Sequence, residues 1–204
     1  MSTEAPALTR REQILKEAAR LFAERGFHGV GVDEIGAAVG ISGPGLYRHF
    51  PGKDAMLAEL LVGISERLLA AGRQRSAAAS GDELLDELIR GHIDFALHDR
   101  PLIILHDREL DRLRDEDRKL VRQLQRQYVE LWVAAVRSAY TGLGEPEART
   151  AVHAVFGLLN STPHLSPRAS LPGREETGEL LFRLARGAFG AAAVSSSGES
   201  SAGE

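Results

Sequence analysis

The chain contains no cysteine. Disulfides, thiolate metal sites and cysteine nucleophiles are therefore excluded. No apolar run is long enough to span a bilayer, so no membrane partner is expected. The opening stretch MSTEAPALTRREQ lacks the apolar core of a signal peptide, which makes a reducing cytoplasm the expected location. No βαβ alternation, glycine-rich phosphate loop or internal repeat is present, and neither a nucleophile elbow nor an HExxH pattern occurs. His92, His98 and His106 are not at i, i+4 spacing, and no acidic residue completes a ligand set. No catalytic residue, metal site or cofactor is expected. A net charge of −4 and a pI near 6.0 argue against a generally sticky nucleic-acid binder but leave room for a local basic face.

What is present is ordinary for a globular protein: 204 residues, 43% hydrophobic and 26% charged, enough for one compact domain or two small ones. The most informative stretch is VDEIGAAVGISGPGLYRHF, from Val32 to Phe50. Val32, Ile35 and Val39 recur at helical spacing. Gly40 can take the positive φ that ends a helix. Ile41 is placed to plug the angle of a turn, and Ser42 is a natural N-cap for a second helix, with Pro44 in its first turn. This is a helix-turn-helix pattern whose second helix would enter the DNA major groove. Upstream, Thr9 opens a helix and Glu12 completes a capping box. Ile14, Leu15, Ala18, Leu21 and Phe22 form its apolar face, and Gly26 closes it. Phe27 and Val30 are expected in the same small core.

The combination Ile41-Ser42-x-x-x-Leu46-Tyr47-Arg48-His49-Phe50-Pro51-x-Lys53-Asp54, with Ala19, Leu21, Phe22, Gly26 and Phe27 upstream, resembles the DNA-binding domain of the TetR/AcrR family of one-component bacterial regulators. The resemblance covers about Thr9 to Leu61. It implies that Tyr47 and His49 hold phosphates; the residues alone also allow Tyr47 as a packed core aromatic. Gly43 and Gly45 would let the backbone approach the bases, Pro44 could touch a thymine methyl, and Arg48 could reach a guanine edge or a phosphate. Lys53, beside Pro51 and Gly52, could share a phosphate with free amides, and Arg10 and Arg11 could reach another. The chain departs from the family pattern at Gly31, where a capping Ser or Thr is usual, and in the donor-poor turn Gly43-Pro44-Gly45. Specificity is therefore expected to lean partly on DNA shape.

The expected organisation is all-α: an N-terminal three-helix helix-turn-helix head and a larger C-terminal helical ligand-binding and dimerisation domain. Residues 1–8 read as a disordered arm, 9–53 as the DNA-binding domain, 54–193 as the body (54–75 a linking helix) and 194–204 as a disordered tail. A small-residue linker is expected at residues 76–81, with Ser80 and Glu83 forming a second capping box. Helices are expected at about 82–99, 120–140, 146–161 and 175–193, the last with Leu180, Leu181, Leu184 and Ala188 as its inward stripe. Pro101 should break the chain before the buried run Leu102-Ile103-Ile104-Leu105, and the charged stretch after His106 should be solvated.

The resemblance further implies a pocket in the body that takes a small molecule and releases DNA. Candidate walls are His92, Phe95, Leu102, Leu105, His106, Tyr128 and Trp132, each also able to serve as ordinary core. The layout of His106, Glu109, Leu110, Arg126, Tyr128 and Trp132 is similar to that of actinobacterial TetR-type regulators of acyl-CoA and lipid catabolism. That likeness implies an acyl-CoA or other lipid-like effector, its phosphates paired with Arg108, Arg118, Arg122 and Arg126. A palindromic double-stranded DNA operator requires a homodimer. The last two long helices should supply the interface through Val152, Phe156, Leu159, Leu181, Leu184 and Ala188, in a four-helix bundle. The function expected is a ligand-released transcriptional repressor. An activator, a ligand-independent DNA-binding protein and a small helical enzyme are the alternatives.

Overall fold

The computed structural model describes residues 8–165 and 172–197. Among these it contains nine α-helices and two 3-10 turns, with no strand. The expected arm, apart from Leu8, lies outside the described residues, as do residues 166–171 and 198–204.

The head is built from local signals. Helix α1 (Arg10–Arg25) is capped by Thr9, whose side chain accepts from the Glu12 amide while the Glu12 carboxylate accepts from the Thr9 amide. Its C-cap Gly26 has φ 78°. Helix α2 (Val32–Ala38) has Gly31 as N-cap; with no side chain there, the Glu34 carboxylate accepts from the Gly31 amide instead. Gly40, at φ 72°, turns the chain toward α3 (Gly43–Tyr47). The close approach at this turn is set by Gly36, whose carbonyl accepts from the Ile41 amide at 2.9 Å. A Cβ on Gly36 would lie 2.8 Å from the Ile41 carbonyl oxygen.

Helix α4 (Lys53–Ala78) is 26 residues long, about 39 Å at 1.5 Å per residue. It runs three residues into the expected linker and ends at Ala78, with Ala79 as its C-cap. Gly81 then takes φ 56°, and helix α5 (Gly81–His98) begins without any side-chain cap from Ser80, so the second capping box does not form. The expected break before Leu102 is present, two residues ahead of Pro101, between the end of α5 at His98 and the start of the next helix. Pro101 itself sits in the first turn of α6 (Arg100–Glu109), where its missing N–H is harmless, and the chain bends at Asp99. A 3-10 turn (Leu110–Arg112) leads into α7 (Asp115–Ala139), α8 (Glu145–Leu159), a second 3-10 turn (Thr162–His164) and α9 (Arg174–Ser197). Helix α9 therefore includes the first four residues expected as disordered tail.

Two hydrophobic cores result. The head core gathers Ile14, Phe22, Ile35, Leu46, Phe50 and Leu57, and it also takes Leu102 and Leu105 from α6, Leu113, and Val121 from the start of α7. The body core centres on Leu85, Leu88, Trp132, Val136, Val152 and Phe189. Helix α4 serves both, with Leu61 and Ile64 in the first and Leu69 in the second. The charged run after His106 is largely solvated: besides Leu113 and Val121 in the head core, only Glu109 is buried there, its carboxylate paired with Arg112.

The inward stripe of α9 is Leu181, Ala185 and Phe189, all buried, while Leu180 and Leu184 are exposed. The expected stripe was rotated by about one residue, because α9 is apolar on more than one face and periodicity alone does not choose between them.

Candidate DNA-contacting face and ligand cavity

Helix α3 presents a short outward face. Ser42 accepts from the Gly45 amide at 3.3 Å, which fixes the start of the helix and uses that amide. Pro44 and Arg48 are exposed and Tyr47 is 56% exposed, so Tyr47 is not a core aromatic. The Arg48 side chain makes no ion pair or hydrogen bond among the described residues. His49 is half-buried, and its carbonyl accepts from Arg11. Gly43 is buried against α2, where a Cβ would lie 2.1 Å from the Asp33 carboxylate; it sets helix packing and does not face outward.

The basic residues flanking this face are largely engaged inside the head. Lys53 Nζ donates to the carbonyls of Phe27 at 2.9 Å and Val30 at 2.6 Å, and sits over the Phe27 ring. Two of its three donors therefore tie the α1–α2 loop to α4, and one remains for a phosphate. Arg11 pairs with Glu59 of α4 and lies over Phe50, and Arg10 donates to the Val39 carbonyl at 2.9 Å. Pro44, Tyr47 and Arg48 are thus the outward side chains of the α3 region.

A partly open cavity of about 260 Å³ lies between α4, α5, α6, α7 and α8. His92, Phe95, Leu102, His106 and Tyr128 line it, together with Ile64, Ser65, Leu68, Ile103, Gln125 and Phe156. Leu105 and Trp132 do not. Leu105 points the other way, into the head core, and Trp132 lies one layer behind His92, with ring centroids 5.9 Å apart. Phe156, expected at the dimer interface, instead stacks on His92 at 4.9 Å and Tyr128 at 5.7 Å. Its helix turns that face toward the cavity.

The polar centre of the cavity is His92. Its Nε2 lies 3.0 Å from Asn160 Oδ1 and its Nδ1 3.4 Å from the Tyr128 hydroxyl. An amide oxygen only accepts, so Nε2 carries the proton and Nδ1 accepts from Tyr128. Burial lowers the imidazole from its ordinary value to about 4, against the opposing hydrogen bond to Asn160. Burial likewise raises the Tyr128 hydroxyl to about 12. Asn160 is held in place because Thr162 donates to the Ala96 carbonyl at 2.7 Å, pinning the end of α8 to α5. At the mouth, His106 bonds to Gln125.

No arginine or lysine lines this cavity. Arg118 pairs with Asp115 and Arg122 with Asp111, while Arg108 and Arg126 are exposed, so none of the four arginines expected to meet effector phosphates is at the cavity wall. Val152, Leu159 and Leu181 are sealed in the body core of one chain and cannot meet a second copy, whereas Leu184 and Ala188 are exposed. Further exposed small residues, Ala154, Gly157 and Gly187, continue the outer faces of α8 and α9. Ala154 and Gly157 gave no signal in the sequence, because small residues do not mark a stripe, whereas Gly187 lies with Ala185, Ala188 and Gly190 in a small-residue run of the last helix that the sequence offers for close approach.

A helix-turn-helix head joined by a shared helix to an all-helical body with an internal cavity defines a one-component DNA-binding regulator. Residues 14–60 match the family model for bacterial regulatory proteins of the tetR family, and residues 78–164 match that for the tetracyclin repressor-like C-terminal domain. The chain belongs to the TetR family and is a DNA-binding transcriptional regulator. It is 28% identical over 178 residues to the HTH-type transcriptional repressor KstR2 of Rhodococcus jostii, covering 85% of this chain and 86% of that one. Among solved structures, the ketosteroid transcriptional regulator KstR2 of Mycobacterium tuberculosis superposes with a TM-score of 0.76 at 21% identity, over 91% of this chain and 97% of that one. AibR in complex with isovaleryl coenzyme A and operator DNA superposes with a TM-score of 0.72 at 21% identity, over 86% and 97%.

Proposed function

We propose that the protein is a homodimeric repressor that leaves a palindromic operator when the apolar part of a small molecule fills the cavity around His92. One observation carries this reading. Helix α6 stands between cavity and head: Leu102 lines the cavity and belongs to the head core, and Leu105 is sealed in that core. Ile64 of α4 plays the same double part. A ligand that displaces α6 or α4 must therefore repack the core that orients α3. Such coupling is typically worth about 1–3 kcal/mol, or 5–150-fold in affinity. Arg48, Tyr47 and Pro44 form the DNA-contacting face, with Arg48 the reader of a base edge.

The exposed faces of α8 and α9, carrying Ala154, Gly157, Leu184, Gly187 and Ala188, pair with a second copy as a four-helix bundle. Two-fold symmetry then matches two half-sites. On this reading the cavity serves binding, with both His92 nitrogens already engaged within the fold. DNA binding places the protein with the chromosome in the cytoplasm. Because AibR carries an acyl thioester, such compounds are the first effectors to try.

The test is a mobility shift on the DNA beside the protein's own gene, across salt concentrations, with and without octanoyl-CoA. A salt-sensitive, sequence-specific shift supports operator binding, and its loss on adding octanoyl-CoA supports effector release. A shift seen equally with unrelated DNA would refute specific regulation at that site. A reporter fused to the same DNA gives the sign of regulation.

A further inference from the structure

A second cleft, of about 180 Å³, opens at the seam between α4 and α5. It shares Ile64, Leu68, Phe95 and Tyr128 with the His92 cavity, so these side chains form the partition between the two spaces. Unlike the cavity, the cleft has cations at its edge, Arg67 and Arg75, opposed by one carboxylate, Asp99. Neither guanidinium has an ion pair or hydrogen bond among the described residues. Arg75 Nε is buried with no partner, a donor withdrawn from water and left unmade.

The seat of Arg75 is specific. A Cβ on Gly91 of α5 would lie 2.5 Å from both Cζ and Nη2 of Arg75. Gly91 therefore supplies the space in which the guanidinium lies flat against the α5 backbone. A glycine inside an 18-residue helix costs helix stability, and here the missing side chain is occupied by a cation. The charge of Arg75 is felt at Tyr128, on the cavity side of the partition.

We propose that this cleft is the anion-recognising half of the effector site, with Arg75 and Arg67 holding a phosphate or carboxylate while the apolar part of the same molecule passes Leu68 and Phe95 into the His92 cavity. The effector is then an amphipathic anion. The inference rests on the cavity being the effector site, and it moves charge recognition from α7 to α4, the helix shared with the head. A guanidinium offers a planar fork of donors, so an oxyanion at the cleft pairs with Arg75, whose buried Nε has no partner within the fold. Binding there neutralises the net positive edge of the cleft and draws on α4 itself.

The test compares octanol, octanoate and octyl phosphate by calorimetric titration into the full-length protein. The variants are Arg75→Gln, Arg67→Gln with Arg75→Gln, and Gly91→Ala. Octanol reports the cavity alone. The proposal expects at least one anion to bind about 10-fold or more tighter than octanol, the range of a charge-assisted hydrogen bond. The arginine variants remove that advantage and leave octanol unchanged. Gly91→Ala, which favours the helix but displaces the guanidinium, acts like Arg75→Gln. The preferred anion distinguishes a phosphate from a carboxylate effector. Equal binding of all three probes, or an anion advantage that survives the double substitution, overturns the proposal and leaves the cavity reading intact. Failure of octanol to bind refutes the cavity reading itself, and this inference with it.

Discussion

His92 gives the protein a calculable sensitivity to acid. Its ring is buried, donates to Asn160, accepts from Tyr128, and has its ionisation lowered to about 4 by burial. In the unfolded chain the same group titrates near 6.5. Between those values the unfolded chain holds a proton that the native one lacks, so stability falls as pH drops from 6.5 toward 4. Above pH 6.5 neither state is protonated and the contribution vanishes. The gap corresponds to about 3 kcal/mol once complete, most of it lost by pH 4.5. The assay is urea unfolding at pH 7.5 and 4.5 at fixed protein concentration, comparing wild type with His92→Gln. Wild type should lose about 2–3 kcal/mol more than the variant over that interval. A second readout is direct: the His92 imidazole resonances should remain those of a neutral Nε2–H tautomer at pH 5.5. Parallel losses of stability, or a His92 titration above pH 6, would refute the inference that burial outweighs hydrogen bonding at this site.

Four further outcomes follow from the geometry. Arg48→Ala should cost about 1–3 kcal/mol in operator binding and abolish preference over random DNA; an unchanged preference with a salt slope reduced by about one would make Arg48 a phosphate contact. Gly36→Ala should destabilise the head by about 1–3 kcal/mol, because its Cβ meets the Ile41 backbone oxygen, which cannot swing aside; thermal unfolding measures it. Leu184→Glu, on an exposed face of α9, should shift sedimentation toward monomer with helicity unchanged, and a persistent dimer would place the interface elsewhere. Trp132, the one tryptophan, lies directly behind His92, so its fluorescence should change when an effector enters; silence with a bound effector would move the site away from His92.

The head was legible in the sequence because its instructions are local. Thr9 with Glu12, Gly26, Gly40 and Ser42 each act within four residues, and the structure uses all of them as written. The all-helical body was legible from the apolar spacing of α5, α7 and α8; the pocket came only from the family resemblance, which placed His92, Phe95, Leu102, His106 and Tyr128 on its wall and also Leu105 and Trp132, which are not there. Periodicity states that a helix has an apolar face, but not which neighbour covers it. That is why α9 buries Leu181, Ala185 and Phe189 rather than Leu184 and Ala188, and why Phe156 meets His92 instead of a second copy. The partners of long polar side chains are equally invisible along the chain. Lys53 finds the carbonyls of Phe27 and Val30, and Arg11 finds Glu59, only once the helices have packed. Gly91 reads in sequence as a weak point in a helix. In the folded chain it is the seat of Arg75, because only tertiary packing brings α4 close enough to use the space a missing side chain leaves.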